Sequence, residues 1–204
     1  MFFVLVALSA VTLALVTLRP VRALLSRRFS HIWLLWVAAA LHFCFSTPAL
    51  RSLVSMRPLP LLPESGGLLY VCSLALLVAF SWANRRHIGV AIIGIGLLLN
   101  TVVITANGGR MPVNPVRLAE QGSLQAMAAA EERGSWSSWA IAGQHTNVAF
   151  LGDQLLIPLP TGGTVILSVG DLAIAIGIVL FFMVIPEASK IRVPYEAISS
   201  RGRP

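Results

Sequence analysis

The chain has 204 residues, enough for one domain; 56% of them are apolar and only 11% are charged. In a soluble domain about a quarter of the residues are charged, so this composition excludes an ordinary soluble protein. The net charge of +7 does not indicate a nucleic-acid partner, because the basic residues lie at the ends of apolar segments, where they orient membrane helices.

Five apolar segments follow one another, and each is long enough to cross a bilayer. A hydrocarbon core of about 30 Å needs about 20 helical residues, since each residue adds about 1.5 Å. We therefore predict an all-α polytopic membrane protein that forms a single membrane domain over residues 1–204. The predicted transmembrane helices cover residues 1–18, 32–50, 66–83, 88–106 and 165–185.

The first segment is predicted to be an uncleaved helix and not a signal peptide. No basic region precedes its apolar run, its positive charges follow the run, and no convincing small-residue cleavage site precedes Arg19. Basic residues then alternate in number between the loops. Ten lie after segments one, three and five, and five lie in the other two loops. The positive-inside rule places the N-terminus outside and the C-terminus in the cytoplasm.

The longest loop covers residues 107–164 and is predicted to be extracytoplasmic. It is too long for a connector and too apolar for a disordered linker, so we expect it to fold back on the membrane surface. Asn114 followed by Pro115 predicts a helix start. Ser123 is typical of the cap of a second short helix, ending at Gly134.

Further along this loop the pattern changes to short β segments. Residues 155–159 and 164–168 flank a turn containing two glycines, which predicts a small hairpin with Pro158 on an edge strand. Trp136 and Trp139 are typical of an amphipathic segment at the level of the lipid headgroups.

The most distinctive motif is Asn107-Gly-Gly-Arg-Met-Pro-Val113, at the end of the fourth segment. Gly108 and Gly109 permit positive φ angles, so one interpretation is a helix stop followed by a sharp turn. The other is that Asn107 and Arg110 face a polar site, with Arg110 binding an anion or a lipid headgroup. We expect Arg110 to lie near a carboxylate, either Asp153 or Asp171.

The chain resembles a bacterial family of integral membrane proteins of unknown function that carry this motif. The resemblance also includes Leu151-Gly-Asp153, Ile157-Pro-Leu-Pro160 and Gly170-Asp171, and it extends from the second helix onward. It implies a multi-pass protein of the bacterial plasma membrane. It implies nothing about an activity.

Several polar residues lie within the apolar segments, at about 9–12 Å from their predicted outer ends. We expect Asn100 to bond a neighbouring helix, and His42 to be packed in the core or to face a cavity. Asp171 completes a capping box with Ser168. Cys44 and Cys72 lie at equal depth and could pair, although reduced thiols are the default.

No metal, haem or other cofactor is expected. The sequence contains no Cys-x-x-Cys, no Cys-x-x-Cys-His and no His-Glu-x-x-His motif. A haem held by His42 and His145 is conceivable but disfavoured.

Two classes of function stay open, because the chain has no Gly-x-Ser-x-Gly, phosphate-binding or dinucleotide-binding motif. The favoured class is a non-enzymatic component that binds a small ligand or lipid, or an accessory subunit with a membrane-protein partner. The alternative is a membrane enzyme acting on a lipid-linked or anionic substrate at the outer leaflet. We predict one outward-facing polar cavity, roofed by residues 144–160. Its candidate residues are His42, Asn100, Asn107, Gly108, Gly109, Arg110, His145, Asp153 and Asp171.

Overall fold

The computed structural model describes residues 28–47, 65–132, 138–159 and 162–183. The described part is mostly helical. Its longer helices are α1 (Trp33–Ser46), α2 (Ser65–Ala83), α3 (Ile88–Ala106) and α6 (Val169–Met183). Two short helices, α4 (Pro115–Gln121) and α5 (Leu124–Glu132), lie between α3 and α6, together with a single 3-10 turn over Ala149–Leu151.

Two of the long helices are candidate membrane spans. Gly66–Ala83 has a mean hydropathy of 1.9 and Ile88–Ala106 one of 2.3, whereas the apolar helices Trp33–Cys44 and Val169–Met183 are shorter. The five predicted transmembrane helices are therefore not supported as a set. The predicted helix over residues 1–18 and most of the proline-rich loop before α2 lie outside the described residues.

The predicted bounds were accurate for α2 and α3 and wrong for the other two. Helix α1 ends at Ser46 and not at residue 50, because Thr47 is extended, the conformation favoured before a proline such as Pro48. Helix α6 begins at Val169 and not at residue 165, because the preceding residues form a β-strand.

Two small sheets connect α3 to α6. Strands β1 (Met111–Val113) and β2 (Trp139–Ile141) pair in parallel, with Met111 opposite Trp139. Strands β3 (Leu155–Pro158) and β4 (Thr164–Leu167) form the predicted antiparallel hairpin. Trp139 lies in strand β2 and Trp136 lies outside the described residues, so the predicted amphipathic segment at the headgroup level stays a prediction.

The core lies where α3 meets the loop region. Val103 and Ile104 near the end of α3 are almost fully buried, and they pack with Leu74 of α2 and Met111 of β1. Helix α3 also packs along α6, running antiparallel to it, with Gly96 against Gly170 and Gly89 against Gly177. The start of α6 is thereby held beside the end of α3, together with the segments that follow α3.

Candidate functional site

The glycine motif forms the predicted helix stop at the end of α3. Gly108 and Gly109 have φ angles of 69° and 87°, and the Gly109 amide donates to the carbonyl of Ile104 at 2.9 Å. These left-handed conformations suit glycine because they lack the Cβ clash that other residues meet. A Cβ on Gly67 of α2 would lie 2.9 Å from the Gly108 carbonyl oxygen, so the turn also packs closely on α2.

Asn107 uses its side chain to hold the loop over this turn. Its Nδ2 donates to the carbonyls of Val103 and Asn147 at 2.7 and 2.9 Å, and its Oδ1 accepts from the Asn147 amide at 2.9 Å. Asn147 in turn donates to the carbonyl of Ala106 at 3.0 Å. These bonds attach part of the predicted roof, residues 144–160, to the end of α3.

Asn100 and Asp171 meet as part of one polar network between α3 and α6. Asn100 Nδ2 donates to Asp171 Oδ1 at 2.9 Å, and Ser168 Oγ donates to Asn100 Oδ1 at 3.0 Å. The predicted capping box is also present, since the Ser168 amide donates to Asp171 Oδ2 and the Asp171 amide to Ser168 Oγ, each at 3.0 Å. The network fixes the start of α6 against α3.

Asp153 is the least satisfied carboxyl group among the described residues. It is only 6% exposed, and its Oδ1 is buried and accepts no hydrogen bond from the described protein. Its backbone is fixed, because its amide donates to the carbonyl of Pro112 at 2.8 Å and its carbonyl accepts from the amide of Asn114 at 3.0 Å. A buried polar atom without a protein partner is uncommon and indicates strain, a functional role, or a bound water, ion or ligand.

Burial first, and then the negative charge of Asp171, raises the pKa of Asp153 to about 8. A carboxyl group in an apolar environment favours its neutral form, because the charged form loses its hydration. At neutral pH Asp153 is therefore mostly protonated and can both donate and accept a hydrogen bond.

Asp153 lines a cavity of about 530 Å³, which we call the Asp153 cavity. Helices α4 and α5, strands β1, β2 and β4, and Asp153 line it. Its described lining is mostly apolar, with four polar residues and no basic residue. The lining residues are Val113, Leu118, Gln121, Ser123, Ala126, Met127, Ala130, Glu131, Trp139, Asp153, Val165 and Ile166.

The other candidate residues are spread more widely. His42 is exposed on α1, with its ring centroid 5.9 Å from that of Tyr70. His145 is exposed in a turn, and no hydrogen bond between described residues joins it to Asp153. Arg110 is partly buried after the glycine turn, but the described part of the chain shows no ion pair between it and either Asp153 or Asp171. Cys44 and Cys72 are free thiols.

Sequence reasoning missed most of the cavity lining. The Asn114 cap was predicted correctly, and its Oδ1 accepts from the Val116 amide at 2.9 Å. Ser123 directly precedes α5 as predicted, its carbonyl accepts from the Met127 amide at 3.1 Å, and its hydroxyl donates to Gln121 Oε1 at 2.9 Å. The alanines of α5 indicated helix propensity and gave no sign that Ala126 and Ala130 face a cavity.

A second cavity, of about 400 Å³, lies at the opposite end of α3. It is polar and includes Arg28, Arg85, Arg86 and His87. Asn84 closes this end by exchanging two hydrogen bonds with the backbone of Ser30, at 2.8 and 3.0 Å. The two ends of the helices therefore differ in charge.

Three comparisons place the chain among known proteins. The profile described as "Family of unknown function (DUF5317)" matches residues 26–183. An uncharacterized protein of Thermotoga maritima is 31% identical over 142 residues, which cover 68% of this chain and 77% of that protein. No solved structure matches the chain. These matches fit the expected family of unknown function, and neither tests the glycine motif.

Proposed function

The chain belongs to the DUF5317 family of unknown function, and we propose that it is a membrane protein with an outward-facing site for a small, mainly apolar ligand. The observation that carries this proposal is the Asp153 cavity, in which an apolar lining surrounds a buried carboxyl oxygen without a partner. Ligand sites typically have a volume of about 300–1,000 Å³, an apolar lining and a few polar groups.

Membrane insertion is supported by the side chains that the helices expose. Only 39% and 33% of the two candidate spans are buried, whereas a core helix of a soluble protein is mostly buried. Trp36, Phe43 and Trp82 are exposed to 75%, 64% and 69%. Exposure of such an apolar surface to water is unfavourable, whereas its contact with lipid tails is not. In this proposal α1 and α6 also cross the bilayer.

The proposed orientation has the N-terminus outside, the C-terminus in the cytoplasm and the region 107–164 on the outer face of the plasma membrane. The cavity with Arg85 and Arg86 is at the end of the helices that the positive-inside rule assigns to the cytoplasm. The Asp153 cavity has only acidic charges among its described lining residues and is at the other end.

Cysteine labelling tests this orientation. In a background with Cys44 and Cys72 replaced by serine, Gly143→Cys should react with a membrane-impermeant maleimide in intact cells, because residue 143 is exposed and on the proposed outer face. Arg86→Cys should react only after the cells are lysed. The labelled fraction of each variant, measured by mass shift on gels, gives the result.

Labelling of both variants in lysed cells is the control for accessibility. Labelling of Arg86→Cys and not of Gly143→Cys in intact cells would mean that the orientation is reversed. A protein recovered in the soluble fraction would contradict membrane insertion itself.

Filling the Asp153 cavity should abolish ligand binding. Ala130 lines the cavity, so a tryptophan there should weaken the binding of naphthylmethanol, a neutral apolar probe, at least about tenfold. Equilibrium dialysis of the purified protein in nanodiscs measures this change. The matched control is Ala119→Trp, because Ala119 is an exposed alanine on α4 outside the lining. Equal binding by wild type and Ala130→Trp would contradict the proposed site.

A further inference from the structure

We propose that the ligand of the Asp153 cavity is an organic cation, a protonated amine on an apolar body, with Asp153 as its counter-ion. The inference rests on the proposed binding function and adds the charge of the ligand. It depends on three features of the cavity: an oxygen without a partner, the sign of the charges around it and an aromatic wall.

The first feature is the unused acceptor. Asp153 Oδ1 is buried and unpartnered, while the backbone of the same residue is held on both sides by Pro112 and Asn114. An unsatisfied buried acceptor costs about 1–3 kcal/mol, more if it is charged, so a donor supplied by the ligand would be favoured. An ammonium group has donors and no acceptor, which matches an acceptor-only carboxylate.

The second feature is the charge of the surroundings. Glu131 of α5 lines the same cavity, and Asp171 of α6 interacts electrostatically with Asp153. The nearby Arg117 of α4 is ion-paired with Glu120 at 2.8 Å, and burial and Asp171 raise the pKa of Asp153. The site therefore repels anions and attracts a cation.

The third feature is Trp139, whose side chain is 52% exposed and forms part of the wall. A tryptophan face is the best aromatic partner for an organic cation. The apolar side chains around it, such as Met127 and Val165, suit the body of the ligand and not its charged end.

Binding of a cation should displace the proton from Asp153. The Asp153 carboxyl group has a pKa of about 8 when no ligand is bound. An amine that needs the ionised carboxylate should therefore bind about tenfold more weakly for each pH unit below about 8. Above that pH its affinity should level off. A neutral ligand displaces no proton and should show no such slope.

The experiment compares three probes of the same shape: naphthylmethylamine, naphthylmethanol and naphthylacetate. The full chain in nanodiscs is dialysed against each probe from about pH 6 to about pH 8.5, where the amine stays protonated. At the highest pH we expect the amine to bind at least about tenfold more tightly than the alcohol, and naphthylacetate not to bind. Asp153→Asn should remove the preference for the amine over the alcohol and the pH slope of amine binding.

The outcomes separate this inference from the proposed function. If amine and alcohol bind wild type equally at all pH values, the cavity is a binding site and the counter-ion role of Asp153 is wrong. If none of the probes binds, both proposals are overturned. The pH profile of the wild type decides the question even if Asp153→Asn does not fold.

Discussion

Gly170→Ala is expected to separate α6 from α3 and to lower the melting temperature by about 10 °C. A Cβ at residue 170 would collide with the Asn100 side chain, and it would lie 2.7 Å from the Gly96 carbonyl oxygen. Neither neighbour can easily yield, because Asn100 is held by Asp171 and Ser168, and Gly96 offers backbone. Overpacking costs about 1–3 kcal/mol and sometimes more. The melting temperature of the purified variant, compared with that of wild type, measures this loss of stability.

The same contact recurs one heptad away along both helices. A Cβ on Gly177 would lie 2.7 Å from the Gly89 carbonyl oxygen and 2.7 Å from the Ile93 backbone nitrogen. Two glycines seven residues apart on each antiparallel helix thus allow close backbone contact at two levels. Small residues have this role in membrane helix pairs, where apolar burial gives no driving force between helices.

The sign of the change in stability distinguishes an effect of close packing from an effect of helix propensity. Within a helix, glycine to alanine normally stabilises by up to about 1 kcal/mol, and Gly170 is the second residue of α6. Destabilisation of Gly170→Ala would therefore show that the contact with Asn100 outweighs propensity. Gly143→Ala is the matched control, because its Cβ would meet nothing within 4 Å. A melting temperature of Gly170→Ala equal to or above that of wild type would mean that α3 and α6 do not pack as closely as described.

The features that the sequence predicted well are local ones. The bounds of α2 and α3 follow from uninterrupted apolar runs, and the stop after α3 follows from the positive φ that Gly108 and Gly109 permit. The Ser168 and Asp171 capping box depends on residues three apart in one turn. Such features need no knowledge of distant contacts.

The features that the sequence did not predict depend on residues far apart in the chain. Apolar residues 165–167 fit a helix or a strand equally well, and their pairing with β3 decides for the strand. Asn100 bonds a neighbouring helix as predicted, but the sequence did not identify its partner Asp171, which is 71 residues away. Asp153 was expected to pair with Arg110 or to bind a ligand, and its burial beside Val113 comes from a bridge across the loop. The cavity lining comes from β1, α4, α5, β2, Asp153 and β4, so no local pattern indicated it.

Asp153→Asn should remove the pH dependence of stability that this carboxyl group gives to the wild type. The folded-state pKa of about 8 is above the unfolded value of about 3.8, so the folded protein binds the proton more tightly. The stabilisation by protonated Asp153 is therefore complete below about pH 4 and is lost as the pH rises to about 8. The loss is about 1.4 kcal/mol per pH unit and on the order of 5 kcal/mol in total. Melting temperatures at successive pH values measure it.

Asparagine removes the titration while it keeps the shape of the side chain, so the comparison of the two proteins isolates Asp153 from every other titrating group. Below about pH 4 the variant should match wild type, because residue 153 is then neutral in the folded and the unfolded states of both proteins. Above about pH 8 the variant should be the more stable protein, since wild type then holds a buried carboxylate beside Asp171. Glu120→Gln is the control, because Glu120 is an exposed partner of Arg117 and its loss should change little at any pH. Parallel stability curves for wild type and Asp153→Asn would show that Asp153 is ionised and solvated at neutral pH. The assignment of a buried, neutral carboxyl group to Asp153 would then be wrong.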